Sequence, residues 1–367
     1  MKLEMKNGTD PIDRRVFLKM AGAAWAASLA PQAAFALSRT DAVYASAFMS
    51  PSGAYGVAVL TEEGAIIEQM PLPARAHGMT YSPATGRAVA FARRPGTYAM
   101  IFAPDGSAQP VVITAGENRH FYGHGCFSAD GRLLYATEND FSGNRGVIGV
   151  YDGTDRFARI GEFPSHGIGP HDMTLSADGT MLVVANGGIE THPDFGRTKL
   201  NLDHMAPSLA LVDTATGGLI ERHAMPDNLR RLSTRHVDIG ADGRVWFACQ
   251  YEGPRNDLPP LAGSFSLGED IRFLELPERA TQALANYVGA IAVNRREGLV
   301  GLTSPKGGTM VTVDAKTGLV RGQERLVDAA GIAPAEHGFI ASSYEGALGG
   351  TQSDVAWDQH IVRLGAL

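Results

Sequence analysis

The sequence predicts an all-β chain folded as a seven-bladed β-propeller of four-stranded antiparallel blades. Three observations carry that expectation. First, a histidine recurs at one phase of a repeating unit: His77 in HGMTYSPATGRAVAFA, His124 in HGCFSADGRLLYATE, His171 in HDMTLSADGTMLVVAN, His236 in HVDIGADGRVWFACQ and His337 in HGFIASSYEG. The spacing is 47 residues from His77 to His124 and 47 again to His171, then 65 to His236 and 101 to His337, which leaves room for one further unit. Self-similarity at such a period marks a propeller or solenoid. Second, hairpin turns split each unit: Ser-Ala-Asp-Gly at 128–131 and 176–179, Ala-Asp-Gly at 241–243 and Ser-Pro-Ala-Thr-Gly at 82–86. In these turns Asp bonds its own backbone and Gly supplies positive φ. Third, strand-like runs follow each turn (RLLYAT, TMLVVAN, RVWFAC, RAVAFA), with third strands at 146–152 and 208–213 and fourth strands in RIGEFP and LIERHAMP. Four antiparallel strands per unit make a propeller blade.

The N-terminus is expected to be an export signal over residues 1–36. Asp13-Arg14-Arg15-Val16-Phe17-Leu18-Lys19 is similar to the twin-arginine motif, with Asp where Ser or Thr is commoner. An apolar stretch from Met20 to Ala30 and an A-x-A site at Ala34-Phe35-Ala36 follow. That stretch is shorter than the about 20 residues needed to span a bilayer. The expected location is the periplasm, with residues 37–367 as a single propeller domain.

Blades are expected near 42–73, 77–115, 124–164, 171–226, 236–278, 287–327 and 334–367. The N-terminal segment is expected to supply a strand that closes the ring, because propellers avoid open edges. The unit at 287 lacks the histidine and offers Tyr287-Val288-Gly289.

Composition narrows the functional classes. With 44% apolar residues the chain reads as globular, and a net charge of −7 gives no electrostatic reason to expect nucleic acid or an anionic membrane. The absence of C-x-x-C-H excludes covalent c-type haem. Cys126 and Cys249 could pair in an oxidising compartment, although sequence does not establish the pairing. There is no Gly-rich phosphate loop, G-x-S-x-G elbow or H-E-x-x-H helix.

In a propeller the loop entering the innermost strand and the loop between the second and third strands share one face. The repeat histidines occupy the first set. His77, His124, His171, His236 and His337 are therefore candidate ligands of a transition metal at the channel mouth, with Glu138 and Glu252 as further ligands or supporting groups. Imidazole suits iron, copper and zinc, and nearby carboxylates favour iron; the expected ion is iron or copper. The alternative is structural, each His bonding a Ser, Thr or Asp and fixing its blade. His120 and His192 fall out of phase and read as solvated loop residues. Arg93, Asn186, Arg197, Gln250 and Lys306 lie in the second set of loops and are candidate ligand-binding residues; the cations would suit an anionic ligand or an anionic metal chelate, or would pair with carboxylates across the face.

The segments ATENDFSGNRGVIGVYD, IGEFPSHGIGPHDMTLSADGTMLVVANGGIETHPDFGRTKLNLDHMAPSLALVD and VWFACQYEGPRNDLPPL resemble the bacterial domain-of-unknown-function family 1513. The resemblance implies a twin-arginine-exported, propeller-like periplasmic protein. It also implies an iron-uptake setting with an imelysin-type or di-haem redox partner, and no established activity. Two other readings stay open: a metal-dependent hydrolase of lactonase type using Glu138, Asn186 and His171, and a non-catalytic interaction scaffold with structural histidines.

Overall fold

The computed structural model describes residues 29–365. Most of the expected leader, including its Arg14-Arg15 pair, lies outside the described residues. The expected cleavage site falls in helix α1 (Pro31–Arg39), which buries Ala33 and Leu37.

Seven four-stranded sheets make up the fold. The first strands in sequence, β1 (Val43–Met49), β2 (Tyr55–Thr61) and β3 (Ile66–Leu72), form the outer three strands of one sheet. Complete blades follow in β4 (Ala76–Ser82), β5 (Arg87–Ala92), β6 (Tyr98–Phe102), β7 (Val111–Thr114) and in β8 (Arg119–Phe127), β9 (Leu133–Asp140), β10 (Arg145–Asp152), β11 (Ala158–Pro164). The next are β12 (Pro170–Leu175), β13 (Met181–Asn186), β14 (Ser208–Asp213), β15 (Leu219–Ala224) and β16 (Leu232–Ile239), β17 (Val245–Tyr251), β18 (Ala262–Phe265), β19 (Arg272–Phe273). After helix α2 (Glu278–Ala283) come β20 (Ala290–Asn294), β21 (Leu299–Ser304), β22 (Thr309–Asp314), β23 (Val320–Arg325) and β24 (Ala329–Pro334), β25 (Phe339–Ser343), β26 (Ala347–Leu348), β27 (Thr351–Gln352).

The last strand, β28 (Ala356–Arg363), pairs with β1 and becomes the innermost strand of the first blade. Closure therefore joins the two ends of the chain in one sheet and leaves no open edge at the seam. The expected C-terminal blade at 334–367 is corrected accordingly: its inner strand is β24, ending at Pro334, and residues 356–363 belong to the closing blade.

The turn chemistry matches the sequence. Ser128 Oγ donates to Asp130 Oδ1 at 2.6 Å, the Arg132 N–H donates to the same oxygen at 3.0 Å, and Gly131 has φ +70°. Ser176, Asp178 and Gly179 repeat the arrangement one blade on. Between blades, sheet faces bury aliphatic and aromatic side chains such as Phe247, Leu302 and Val311 in one cluster and Ile148, Val184 and Val212 in another. Such burial stabilises by about 25 cal/mol per Å². Cys126 and Cys249 are both free and buried in different clusters, and burial raises both thiols.

Candidate metal centre

Each innermost strand runs along the central channel, and its backbone irregularities decide which side chains meet on the axis. In β4, His77 and Gly78 fall between the paired residues Ala76 and Met79; in β8, His124 falls between Phe121 and Gly125. In β12 His171 is the extra residue, in β16 the extra residue is Arg235 beside His236, and in β28 the unpaired residues are 358–360, ending on His360. A bulge locally breaks the ladder and re-aims a side chain. β20, by contrast, pairs in unbroken register, and the irregular stretch of β24 holds Gly331.

The result is five imidazoles packed ring against ring. Centroids are 4.9 Å apart for His77–His124, 5.0 Å for His124–His171, 5.0 Å for His171–His236, 4.9 Å for His236–His360 and 4.5 Å for His124–His360. Two glycines permit this approach. A Cβ on Gly78 would lie 2.3 Å from Gly123 O and 2.6 Å from His124 Nδ1, and one on Gly123 (φ +104°) would lie 2.8 Å from His77 Cδ2. Two groups of three histidines could each hold a metal ion, with nitrogens within 4.8 Å of one another: His77, His124, His171 and His124, His236, His360. His124 belongs to both.

Asp172, which the sequence reading passed over, orients the cluster. Its Oδ1 lies 3.0 Å from His124 Nδ1 and its Oδ2 lies 3.6 Å from His236 Nδ1, the latter beyond hydrogen-bond distance. Backbone N–H groups of Met173 and Val237 donate to the two oxygens at 2.8 and 3.2 Å. Burial alone would raise this carboxyl, but the imidazoles of His124 and His236 hold it well below the usual range. Asp172 Oδ1 accepts from His124 Nδ1, so Nε2 is the nitrogen of that ring left for another partner. That Nε2 has no partner, nor have His77 Nδ1, His171 Nδ1, His360 Nε2 and both nitrogens of His236, all buried. Burial pushes the pKa of His77, His171 and His360 well below its ordinary value, and that of His236 down as well. At neutral pH these rings are therefore uncharged.

Four of the five expected histidines meet on the axis; the fifth does not. His337 sits in the β24–β25 turn, its side chain 78% exposed, with Nδ1 3.1 Å from Glu297 Oε1. Its His-Gly dipeptide imitates those at 77 and 124, yet Gly338 serves a turn at φ +61° with open space around it. His360 takes the fifth place. The available signal was an eight-residue strand at the C-terminus, the natural closing strand, with a histidine in its middle.

The expected carboxylates stand apart from the cluster. Glu138 is fully buried within its own blade, where Tyr151 donates to it at 2.6 Å and Arg159 Nη2 lies 3.0 Å away. Glu252 pairs with Lys199 and lies 3.8 Å from Arg235. Asn186 is buried beneath Gly167 and donates to Ser165 O at 2.9 Å. Glu138, Asn186 and His171 thus do not form the lactonase-type site. Among the remaining expected residues, Lys306 lies 4.6 Å over the Tyr287 ring, and Gln250 bridges Tyr287 through the backbone. Arg93 and Arg197 make no side-chain hydrogen bond to any described residue, and Arg93 Nε is buried. His120 is buried rather than solvated, bonded to Asn139 and Phe121 O, and His192 caps a short 3-10 helix at 193–195.

A family model described as "Protein of unknown function (DUF1513)" matches residues 70–364. No curated protein matches the chain. Among solved structures, hydrazine synthase of Kuenenia stuttgartiensis is similar at a TM-score of 0.60 and 14% identity, covering 81% of this chain and 91% of that one. The Cps50 (Swd1) β-propeller domain of Myceliophteria thermophila is similar at a TM-score of 0.58 and 9% identity, covering 89% and 97%. At these identities the likeness is one of fold.

Proposed function

We propose that this chain, which belongs to the family of proteins of unknown function DUF1513, binds a transition metal ion, iron or copper, through the axial histidines. Its role is metal acquisition, or support of a partner redox protein, in the periplasm. The single observation that carries the reading is the set of buried imidazole nitrogens without partners, contributed by five different blades. A buried polar atom left unsatisfied costs about 1–3 kcal/mol. A shared electrophile at one point of a closed scaffold would satisfy several of these together. Neutral imidazole is a good donor to iron, copper and zinc, and the Asp172–His124 contact is the carboxylate–histidine pairing that fixes a ligating tautomer. Periplasmic location rests on Arg14-Arg15 and the apolar stretch that follows.

No carboxylate joins the imidazoles as a direct donor among the described histidine groups. The donor set is therefore nitrogen-only, which disfavours calcium or magnesium. Titration of metal-free protein with Cu(II) and Fe(II), followed by X-ray absorption, tests the proposal. Saturation with nitrogen-only protein ligands, weakened at least tenfold by His124→Gln, is expected. Equal binding by wild type and variant, or none by either, would falsify it.

A further inference from the structure

Beside the axial histidines stand four arginines, Arg93, Arg94, Arg197 and Arg235, and among the described residues Glu252 is the one carboxylate within ion-pair distance of any of them. Arg235 precedes His236 in β16 and is 5% exposed; its Nε has no partner, and its one acidic neighbour, Glu252 at 3.8 Å, is already paired with Lys199. Arg94, in the loop after β5, is 8% exposed and makes no ion pair or side-chain hydrogen bond to a described residue. Arg93 donates its backbone N–H to Arg75 O at 2.9 Å, two residues ahead of His77, and its buried side-chain Nε is likewise unpartnered. Arg197, exposed at the rim, comes from the long β13–β14 loop. Arg75 is the contrast: it forms a two-point bond to Asp358, both contacts at 3.0 Å.

We propose that Arg93, Arg94, Arg197 and Arg235 form a binding site for a small multivalent oxyanion, a polycarboxylate or phosphate, seated over the histidine cluster. Guanidinium groups present planar forks matched to carboxylate and phosphate oxygens. A buried, unpaired charge is unfavourable until a counter-charge arrives. The mutual crowding is visible in Arg94, whose pKa is pushed down to about 10 by burial and then by the neighbouring Arg235. Arg197 is lowered by burial and next by Arg93. Tyr122 stands beside Arg94 and Arg235, with its hydroxyl 3.1 Å from Thr191 Oγ1. The site uses groups distinct from the metal-ligating nitrogens and holds its ligand with or without metal.

Calorimetric titration of the full-length, metal-free protein with tricarballylate and with inorganic phosphate, in chloride buffer, tests this. Saturable one-to-one binding is expected, weakened at least tenfold in Arg94→Gln/Arg235→Gln and in the rim variant Arg93→Gln/Arg197→Gln. Tighter tricarballylate binding assigns a polycarboxylate ligand, and tighter phosphate binding assigns a phosphate. If the buried double variant does not fold, the rim variant decides. Failure of both anions to bind, or wild-type affinity in the folded variants, overturns the proposal whatever the metal content.

Discussion

Asp172 Oδ1 lies 3.0 Å from His124 Nδ1, joining the inner strands of neighbouring blades at the centre of the histidine cluster. The contact has two effects: it occupies His124 Nδ1 and leaves the buried Nε2 for another partner, and it holds a negative charge beside the position a cation would take. Asp172→Asn keeps the volume but removes the charge and frees the imidazole tautomer. Loss of such a supporting carboxylate weakens metal binding about 10–100-fold. Competition against a chelator of known strength, for wild type and Asp172→Asn, measures that loss.

His124 is shared by both groups of three, whereas His337 is exposed in a turn. Replacing His124 with Ala should reduce metal affinity more than replacing any other single histidine. His337→Ala should leave it unchanged, because only an exposed contact to Glu297 is lost. A metal titration across the two variants separates the axial set from its imitation.

In the metal-free protein the cluster should confer acid sensitivity. The folded pKa values of His77, His171, His236 and His360 are lowered by burial. The unfolded chain therefore binds more protons once the pH drops below the ordinary histidine pKa of about 6.5. Stability contributed by these neutral rings is present above that pH and is lost as pH falls below it, by up to about 1.4 kcal/mol per pH unit for each ring. Urea melts at pH 7.5 and 5.5 should show this decline, and His77→Gln/His171→Gln should decline less steeply. An identical slope in both proteins would count against buried neutral imidazoles.

Glu138 should behave in the opposite manner to the axial residues. Its carboxylate is buried against Tyr151 and Arg159, away from the channel. Glu138→Ala breaks a buried pair and should cost about 3 kcal/mol of stability. Metal binding per folded molecule should not change. A denaturant melt paired with metal analysis distinguishes the two effects.

Much of the propeller was legible because blade-building is local. Ser128-Ala129-Asp130-Gly131 carries its own hairpin chemistry, and the 47-residue spacing repeats it in register. Closure was less legible, since β28 meets β1 across the whole length of the chain, and no local pattern assigns a terminal strand to one blade or another. The same difficulty hid His360, while His337-Gly338 copied the local look of an inner strand without its bulge. Glu138 was misplaced for a related reason. Its position beside the channel loop said nothing of whether it faced the axis, and residue alternation turned it into the blade, against Tyr151. Asp172 was in view beside His171, but its role depends on reaching a ring in the neighbouring blade.

Whether the axial histidines hold a metal ion is read directly from the protein's composition. The most direct measurement is the metal content, by elemental mass spectrometry, of untagged full-length protein. Near-stoichiometric iron or copper is expected in wild type, lost in His124→Ala/His360→Ala while the folded yield persists. Wild-type protein that emerges metal-free and takes up neither ion on addition would contradict that expectation, leaving the five imidazoles as blade packing.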